Sequence, residues 1–496
     1  MRDRKLLFHN DARHYYIYNY DPPFRLEDAW KPVDEIIGTG VDTLVYGLGA
    51  GPTMFHSTEV GEIWGSHIDS FPEVSAWRAY ENIKSLQSLG LDPLKVLIDR
   101  SREKGVEFFV SLRQSHPADP SVKDDVFNWQ FRIDNPEMCL KGRGEHAFDW
   151  NYEEVRNERF ALIEETVNKY DVDGIELDWV FWPHFFEDEE APLKSDILTE
   201  YMVQVANVVA KASTKKGKKI ELGVRVLPTS EGNLAAGLDV ESWIKRGCLD
   251  FIIPTIYQDQ QIDADLPFEW LVNLTKGLET KVYPSLHNQR KIQTSIGTNS
   301  EVRASIDHYR AAAASYWSKG ADGIYLPWFT WPHGAEELNI LNSIGDYSLI
   351  SGSSKHYVVK KKDELSESYK YCSQIPAEIN VGENAQITDV DFYIADKLDV
   401  GHRSTLRLLI SDTTIHDGLK ISLNGKDLSV KNAWRTTVGF THVSLEFSDL
   451  MGVFKEGINR LGIVINSRPT NLVGANLPRL ENVEVLVKYP EPLGSL

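Results

Sequence analysis

Over the first ~345 residues, short apolar runs bounded by glycine, proline and polar turns alternate with longer stretches whose apolar positions recur every three to four residues. The short runs predict strands at Leu6–Asn10, Val41–Leu48, Val106–Arg113, Val172–Trp179, Lys219–Leu227, Leu249–Tyr257, Lys281–His287 and Ala321–Phe329. The longer stretches predict helices at Leu26–Ile37, within Val74–Gly105 (broken near Gly90 and Pro93), and at Glu153–Tyr170, Asp196–Ser213, Asp239–Arg246, Pro267–Leu278, Glu301–Lys319 and Gly334–Asn342. Strands that are apolar on both faces belong in a parallel sheet covered on both sides. Eight such βα units in order predict an α/β fold, a (β/α)8 TIM barrel, with a doubly wound open sheet as the alternative. There is no G-x-G-x-x-G after the first strand and no P-loop, so nucleotide binding has no support. Two connections, Gly51–Pro72 and Gln114–Asn151, are long enough to carry function.

After Gly345 the period changes. Residues 346–355 read as a linker. Alternating strand patterns follow at His356–Lys361, Ala385–Ile394, Thr405–Ile410, Lys420–Leu423, His442–Phe447, Arg460–Asn466 and Val483–Tyr489, with Asn424-Gly425 as a hairpin turn. The division expected is a barrel over 1–345 and an all-β sandwich domain over 356–496, of seven or eight strands.

Composition adds exclusions. The 496 residues carry 53 Lys+Arg against 73 Asp+Glu, a net charge of −20, which disfavours nucleic acid and anionic membranes as partners. Cys139, Cys248 and Cys372 lie far apart, and no Cys/His spacing suggests a metal; no cofactor is expected. No stretch has the apolar length of a transmembrane helix, and no secretory signal is visible, so a cytoplasmic protein is expected, or a periplasmic or secreted one if a signal has been removed. The oligomeric state stays open.

The chemistry centres on one stretch, D-G-I-E-L-D-W from Asp173 to Trp179, continued to His184. Glu176 and Asp178 are two apart on a strand, so both side chains take the same face, with Cα atoms ~6.6 Å apart. The frame returns as D-G-I-Y-L-P-W from Asp322 to Trp328, continued to His333, and eight of the twelve positions are identical. At the carboxylate positions the second copy has Tyr325 and Pro327. The shared frame reads as scaffold and the difference as chemistry. Asp173 and Asp322, each before a glycine, read as turn residues.

Barrel sites lie at the carboxyl ends of the strands. Those ends offer Asn10 and Asp11, Arg113, Glu176 and Asp178, Arg225, Tyr257 and Asp259, His287 and Asn288, and Trp328, with His116 in the long loop and Trp179 and Trp182 beyond strand four. Aromatic faces beside carboxylates and amides suit a sugar ring. Glycoside hydrolysis needs one protonated and one ionised carboxyl group. Asp178, nearer the mouth, is the expected nucleophile or base, and Asp259 or Glu176 the acid. Arg113 and Arg225 are candidates to hold Asp178 ionised or to grip an acidic sugar.

The D-G-I-E-L-D-W strand resembles the fourth-strand signature of family-10-like glycosyl hydrolases. It is also similar to the D-G-x-D-x-D-x-E strand of family-18 chitinases, and Tyr257-Gln-Asp259 and Trp328 are similar in type and position to residues of those barrels. Where family 18 has its catalytic glutamate this chain has Val180, so substrate-assisted hydrolysis is not implied. The placement of Asp178 also looks like the strand-four nucleophile of α-galactosidase-type and amylase-type barrels, but a clan A partner glutamate is missing from strand seven. In the tail, the segments 419–426 and 454–465 resemble galactose-binding-like sandwich modules. The resemblance implies a carbohydrate substrate and a glycoside hydrolase, exo-acting if the long loops close the pocket. The alternatives are a polysaccharide lyase, with Tyr257 or His287 as base and an arginine neutralising a uronate, and a non-catalytic sugar-binding protein.

Overall fold

The computed structural model describes residues 4–12, 19–50, 53–293, 299–398, 402–448, 450–472 and 476–490. The chain divides into two compact units. One is Met1–Gln258 with Pro267–Ser285 and Ala321–Phe329; the other is Asp259–Leu266 with Leu286–Gly320 and Thr330–Leu496.

The first unit is the barrel. Its strands are β1 (Leu6–Asn10), β2 (Thr43–Gly47), β3 (Glu107–Arg113), β4 (Gly174–Asp178), β5 (Glu221–Val226), β6 (Phe251–Pro254), β7 (Lys281–Val282) and β8 (Ile324–Leu326). They form one parallel sheet in the order β8-β1-β2-β3-β4-β5-β6-β7. A parallel bridge from Ser285 to Tyr325 brings the last strand back to β8, with Tyr325 N–H donating to the Pro284 carbonyl at 3.1 Å. The sheet therefore closes, which removes both edges. β4, β5 and β6 are buried along their whole length, as their apolar runs predict.

The barrel is filled from the bottom. At the amino ends of the strands Arg4 bridges Glu107 and Glu221, with Nη2 2.7 Å from Glu107 Oε1 and 2.9 Å from Glu221 Oε1. Above this floor Leu7, Val45, Phe109, Phe251, Ile253, Tyr283 and Tyr325 form one buried cluster. Two inward positions must be glycine for these rings to fit. A Cβ on Gly174 would lie 2.8 Å from the Phe109 ring, and one on Gly223 2.1 Å from the Phe251 ring.

Helices Val74–Ser88, Pro93–Lys104, Glu153–Lys169 and Ser195–Lys216 lie close to their predicted bounds. The single helix expected at Leu26–Ile37 is instead two one-turn pieces, Leu26–Ala29 and Lys31–Asp34. Pro32 lacks the N–H that a continuous helix needs and starts the second piece.

The second unit holds two antiparallel sheets. One runs Lys355–Val358, Arg479–Lys488, Arg403–Ser411, His442–Ser448, Trp434–Val438, with Ala377–Glu378 also on Arg479–Lys488. The other runs Thr388–Ile394, Gly457–Ile465, Leu419–Leu423, Lys426–Leu428. Alternation buries one face of each, as at Val390, Phe392 and Ile394, and gives the all-β domain that the sequence predicts. Asn424 (φ 52°) and Gly425 (φ 78°) make the two-residue turn between Leu419–Leu423 and Lys426–Leu428.

This unit also takes in segments before residue 345. Helix Ile306–Ser318 packs on strand Lys355–Val358, and its run of small residues from Ala311 to Ala314 is buried all round. Trp317 Nε1 donates to the Ile344 carbonyl at 3.0 Å, and Lys319 pairs with Asp265 at 2.5 Å. The helix is shorter than expected because Asn299–Arg303 pairs with Gln289–Gln293 as a hairpin. Ser305 then caps the helix, its N–H donating to His308 Nδ1 at 3.1 Å.

Candidate active site

At the carboxyl end of the barrel three adjacent strands place Arg113, Asp178 and Arg225 in one register row, and the row below holds Ser111 and Glu176. Glu176 and Asp178 are both fully buried. Glu176 is held by three donors. Oε1 accepts from Ser111 Oγ at 2.9 Å and Arg225 Nε at 2.5 Å, and Oε2 accepts from Tyr325 O–H at 2.6 Å. Arg225 Nη2 also donates to Ser111 Oγ at 2.9 Å and lies 3.1 Å from His9 Nε2. Burial pushes the Glu176 carboxyl above its ordinary value, with the Arg225 guanidinium opposing the shift.

Tyr325 and Glu176 occupy the same position in the two copies of the repeated frame, and they meet in one hydrogen bond. The second copy therefore supplies a phenol donor to the carboxylate of the first. Burial and the neighbouring acids outweigh Arg225 and hold that phenol well above its usual range, so the proton stays on Tyr325.

Asp178 is arranged differently. Its Oδ1 accepts from the backbone N–H of Val180 and of Phe181, each at 3.0 Å. Its Oδ2 has no hydrogen-bond partner among the described residues, and Arg225 Nη2 stands 3.5 Å away. One oxygen orients the group, and the other is uncommitted beside a cation.

Around Asp178 the mouth is aromatic. Arg113 Nη2 donates to Tyr257 O–H at 2.7 Å, and its guanidinium carbon sits 3.9 Å from the Phe181 ring centre. Tyr257 packs edge-on against Phe181 at 4.7 Å and against Trp328 at 5.3 Å. Burial pushes the Tyr257 phenol up; Arg113 opposes this, and the charge of Asp11 adds to it. Asp11 follows β1 on the inward period of Leu7 and His9, and is itself buried.

The other predicted residues are placed as follows. Trp179 does not turn to the mouth. Its neighbour Asp178 faces inward, and strand alternation sends the indole outward into a buried cluster with Trp150, Phe185, Tyr201 and Trp243. Trp328, at the same frame position, has φ 45°, and its ring reaches Tyr257. His116 stacks between Phe127 and Phe181, at 5.0 and 4.9 Å, and packs the long loop. Trp182 is half-buried against His184. Asn10 points away from His9, and its Oδ1 accepts from Ala12 N–H at 2.9 Å.

Asp259, expected as an acid, belongs to the second unit. Its Oδ2 lies 2.5 Å from Lys360 Nζ and accepts from Ser366 Oγ at 2.6 Å, while Oδ1 accepts from Gln261 Nε2 at 3.0 Å. Burial would raise its carboxyl, but Lys360 and these donors hold it below the usual range. A carboxylate so held is ionised and committed, and it has no proton to give. His287 and Asn288 also fall in the second unit, where the Asn288 carbonyl accepts from Ala304 N–H at 2.8 Å.

His9 and Ser111 escaped the reading by strand ends. Each lies two residues before a residue that was noticed, Asp11 and Arg113, so reading the whole inward face at period two would have found them. Among the described residues no group of three or more His, Cys, Asp or Glu side chains is placed to hold a metal, and no helix is long and apolar enough to cross a membrane.

No protein-family model matches the chain, and no curated protein matches it in sequence. Among solved structures it is similar to the endo-β-1,4-mannanase from Thermotoga petrophila, at 9% identity over 97% of both chains with a TM-score of 0.45. It is similar to the α-amylase from Geobacillus thermoleovorans, at 12% identity over 94% of this chain and 99% of that one, TM-score 0.41. It is also similar to a class V chitinase from Pseudomonas fluorescens Pf-5, at 11% identity over 68% of this chain and 98% of that one, TM-score 0.39. At these scores the likenesses do not bear on what this chain does.

Proposed function

We propose that the barrel hydrolyses a glycosidic bond, with Asp178 as the ionised carboxylate that acts as nucleophile or base. The observation that carries this is the asymmetry of its two oxygens: Oδ1 is fixed by two backbone amides, and Oδ2 is uncommitted beside Arg225. A group meant only for structure would have both oxygens satisfied, as Glu176 and Asp259 do. Arg225 stands beside Asp178, and Glu176 fixes Arg225. The aromatic edges of Tyr257, Phe181 and Trp328 suit the C–H faces of a sugar ring.

The second carboxyl group is Asp11 in this reading. It is buried at the end of β1, on the inward period of Leu7 and His9. It would protonate the leaving oxygen while Asp178 attacks or activates water. Exo action is the proposed mode, on the length of the loops after β2 and β3.

The test is product analysis on neutral, acidic and sulfated oligosaccharides with wild type, Asp178→Asn and Asp11→Asn. Cleavage by the wild type that falls by about 100-fold or more in each variant supports the pair. Cleavage that survives in Asp178→Asn refutes its role. A new absorbing double bond in the product would make the enzyme a lyase, and binding without turnover would make the protein a sugar-binding one.

A further inference from the structure

Arg113 also lines a small recess with His116, Trp129, Arg132, Phe148 and Arg159 among others, with no carboxylate in its lining. It has room for about one water-sized species. Three arginines, Arg113, Arg132 and Arg159, line this one recess, and each is more than nine-tenths buried.

Their partners are unequal. Arg159 pairs with Glu158, Nη2 to Oε1 at 2.5 Å. Arg113 has the Tyr257 hydroxyl and two aromatic faces, but no acid among the described residues, and its Nη1 has no hydrogen-bond partner. Arg132 donates to the His116 carbonyl and lies 4.2 Å from the Trp129 ring centre, with no acid partner; its Nε and Nη1 have no hydrogen-bond partner. Burial lowers its pKa to about 9, the neighbouring Cys139 thiol opposing the fall and Arg159 adding to it, while Glu158 and Asp125 act only at a distance. Burying a cation is costly unless it is paired, and here two buried arginines that line one recess have unused N–H groups.

We propose that this recess binds a single halide ion, held by the unpartnered N–H groups of Arg113 and Arg132. The size excludes a sulfate, a phosphate or a uronate. Aromatic walls on Trp129 and Phe148 dry the recess, which strengthens the attraction between the ion and both guanidiniums. The anion would also fix Arg113, whose other nitrogen holds the Tyr257 hydroxyl at the mouth. The ion is therefore coupled to the candidate active site without touching substrate, and its binding stands whether or not the barrel is a hydrolase.

The experiment has two arms on the whole protein. Thermal unfolding is followed during titration with chloride against gluconate at constant ionic strength, and crystals soaked in bromide are measured at the bromine edge. The expected result is a saturable rise in Tm of roughly 5 °C or more with chloride only, and an anomalous peak between Arg113 and Arg132. Arg132→Met abolishes the chloride response. Equal Tm in both salts with no bromide in the recess overturns the proposal, and so does a chloride response that survives in Arg132→Met. Should that variant not fold, Arg113→Met and the bromide map on the wild type decide the matter in the same way.

Discussion

Replacing Arg225 by methionine removes the one cation that, among the described residues, pairs with both buried carboxylates, while keeping most of the volume. Glu176 loses a donor at 2.5 Å and keeps Ser111 and Tyr325; Asp178 loses the cation at 3.5 Å and keeps its two backbone donors. Breaking a buried pair from one side costs about 3–5 kcal/mol, because a charge is left uncompensated. On a unit of this size that is a drop in Tm on the order of 6–20 °C. The informative quantity is the coupling. Glu176→Gln alone strands part of the Arg225 charge and costs about 1–3 kcal/mol. In the double variant Glu176 and Arg225 no longer strand each other and only Asp178 lacks its cation, so the total should fall short of the sum by about 2 kcal/mol. The assay is urea unfolding of the four proteins, followed by the near-ultraviolet signal, to which Trp150, Trp179 and Trp243, buried in the barrel unit, contribute. Costs that add within about 0.5 kcal/mol would refute the claim that Arg225 and Glu176 act as a unit.

His56 is buried, with neither ring nitrogen hydrogen-bonded among the described residues, and burial lowers its pKa from 6.5 to about 4. The unfolded chain takes up this proton near pH 6.5 and the folded chain only near pH 4, so stability is complete above about 6.5. It falls as the pH drops toward 4, by about 3 kcal/mol in all. His56→Leu should flatten that part of the pH–stability curve, and an unchanged acid limb would count against it. Gly223→Ala drives a methyl group to 2.1 Å from the Phe251 ring and should cost at least about 1–3 kcal/mol, measurable as a lower urea midpoint. Gly425→Ala meets no atom within 4 Å, so its cost is backbone strain at φ 78°, about 1–2 kcal/mol. A neutral result there would mean that the turn changes type.

The barrel was legible because its strands are buried on both faces and read as apolar runs, and because turn residues mark their ends. The inward pair Glu176 and Asp178 was legible from a period of two. The repeated frame was visible as well, but its meaning was not: that Tyr325 reaches Glu176 depends on closure of the barrel, which brings β4 and β8 face to face across the interior. The contrast between Trp179 and Trp328 rests on one positive φ that the shared sequence does not encode. Asp259 looked like an acid because its partners Lys360 and Ser366 are about a hundred residues away. Strand Trp434–Val438 was missed because it is mostly exposed at a sheet edge and has no alternation to read.

The floor of the barrel has a consequence for traffic. Arg4, Glu107 and Glu221 lock the amino end, and the layer of rings above them fills the bore. Nothing threads through. Whatever enters at Asp178 must back out by the same door, so the barrel is a cul-de-sac. A long polymer could present only an end or a side to it.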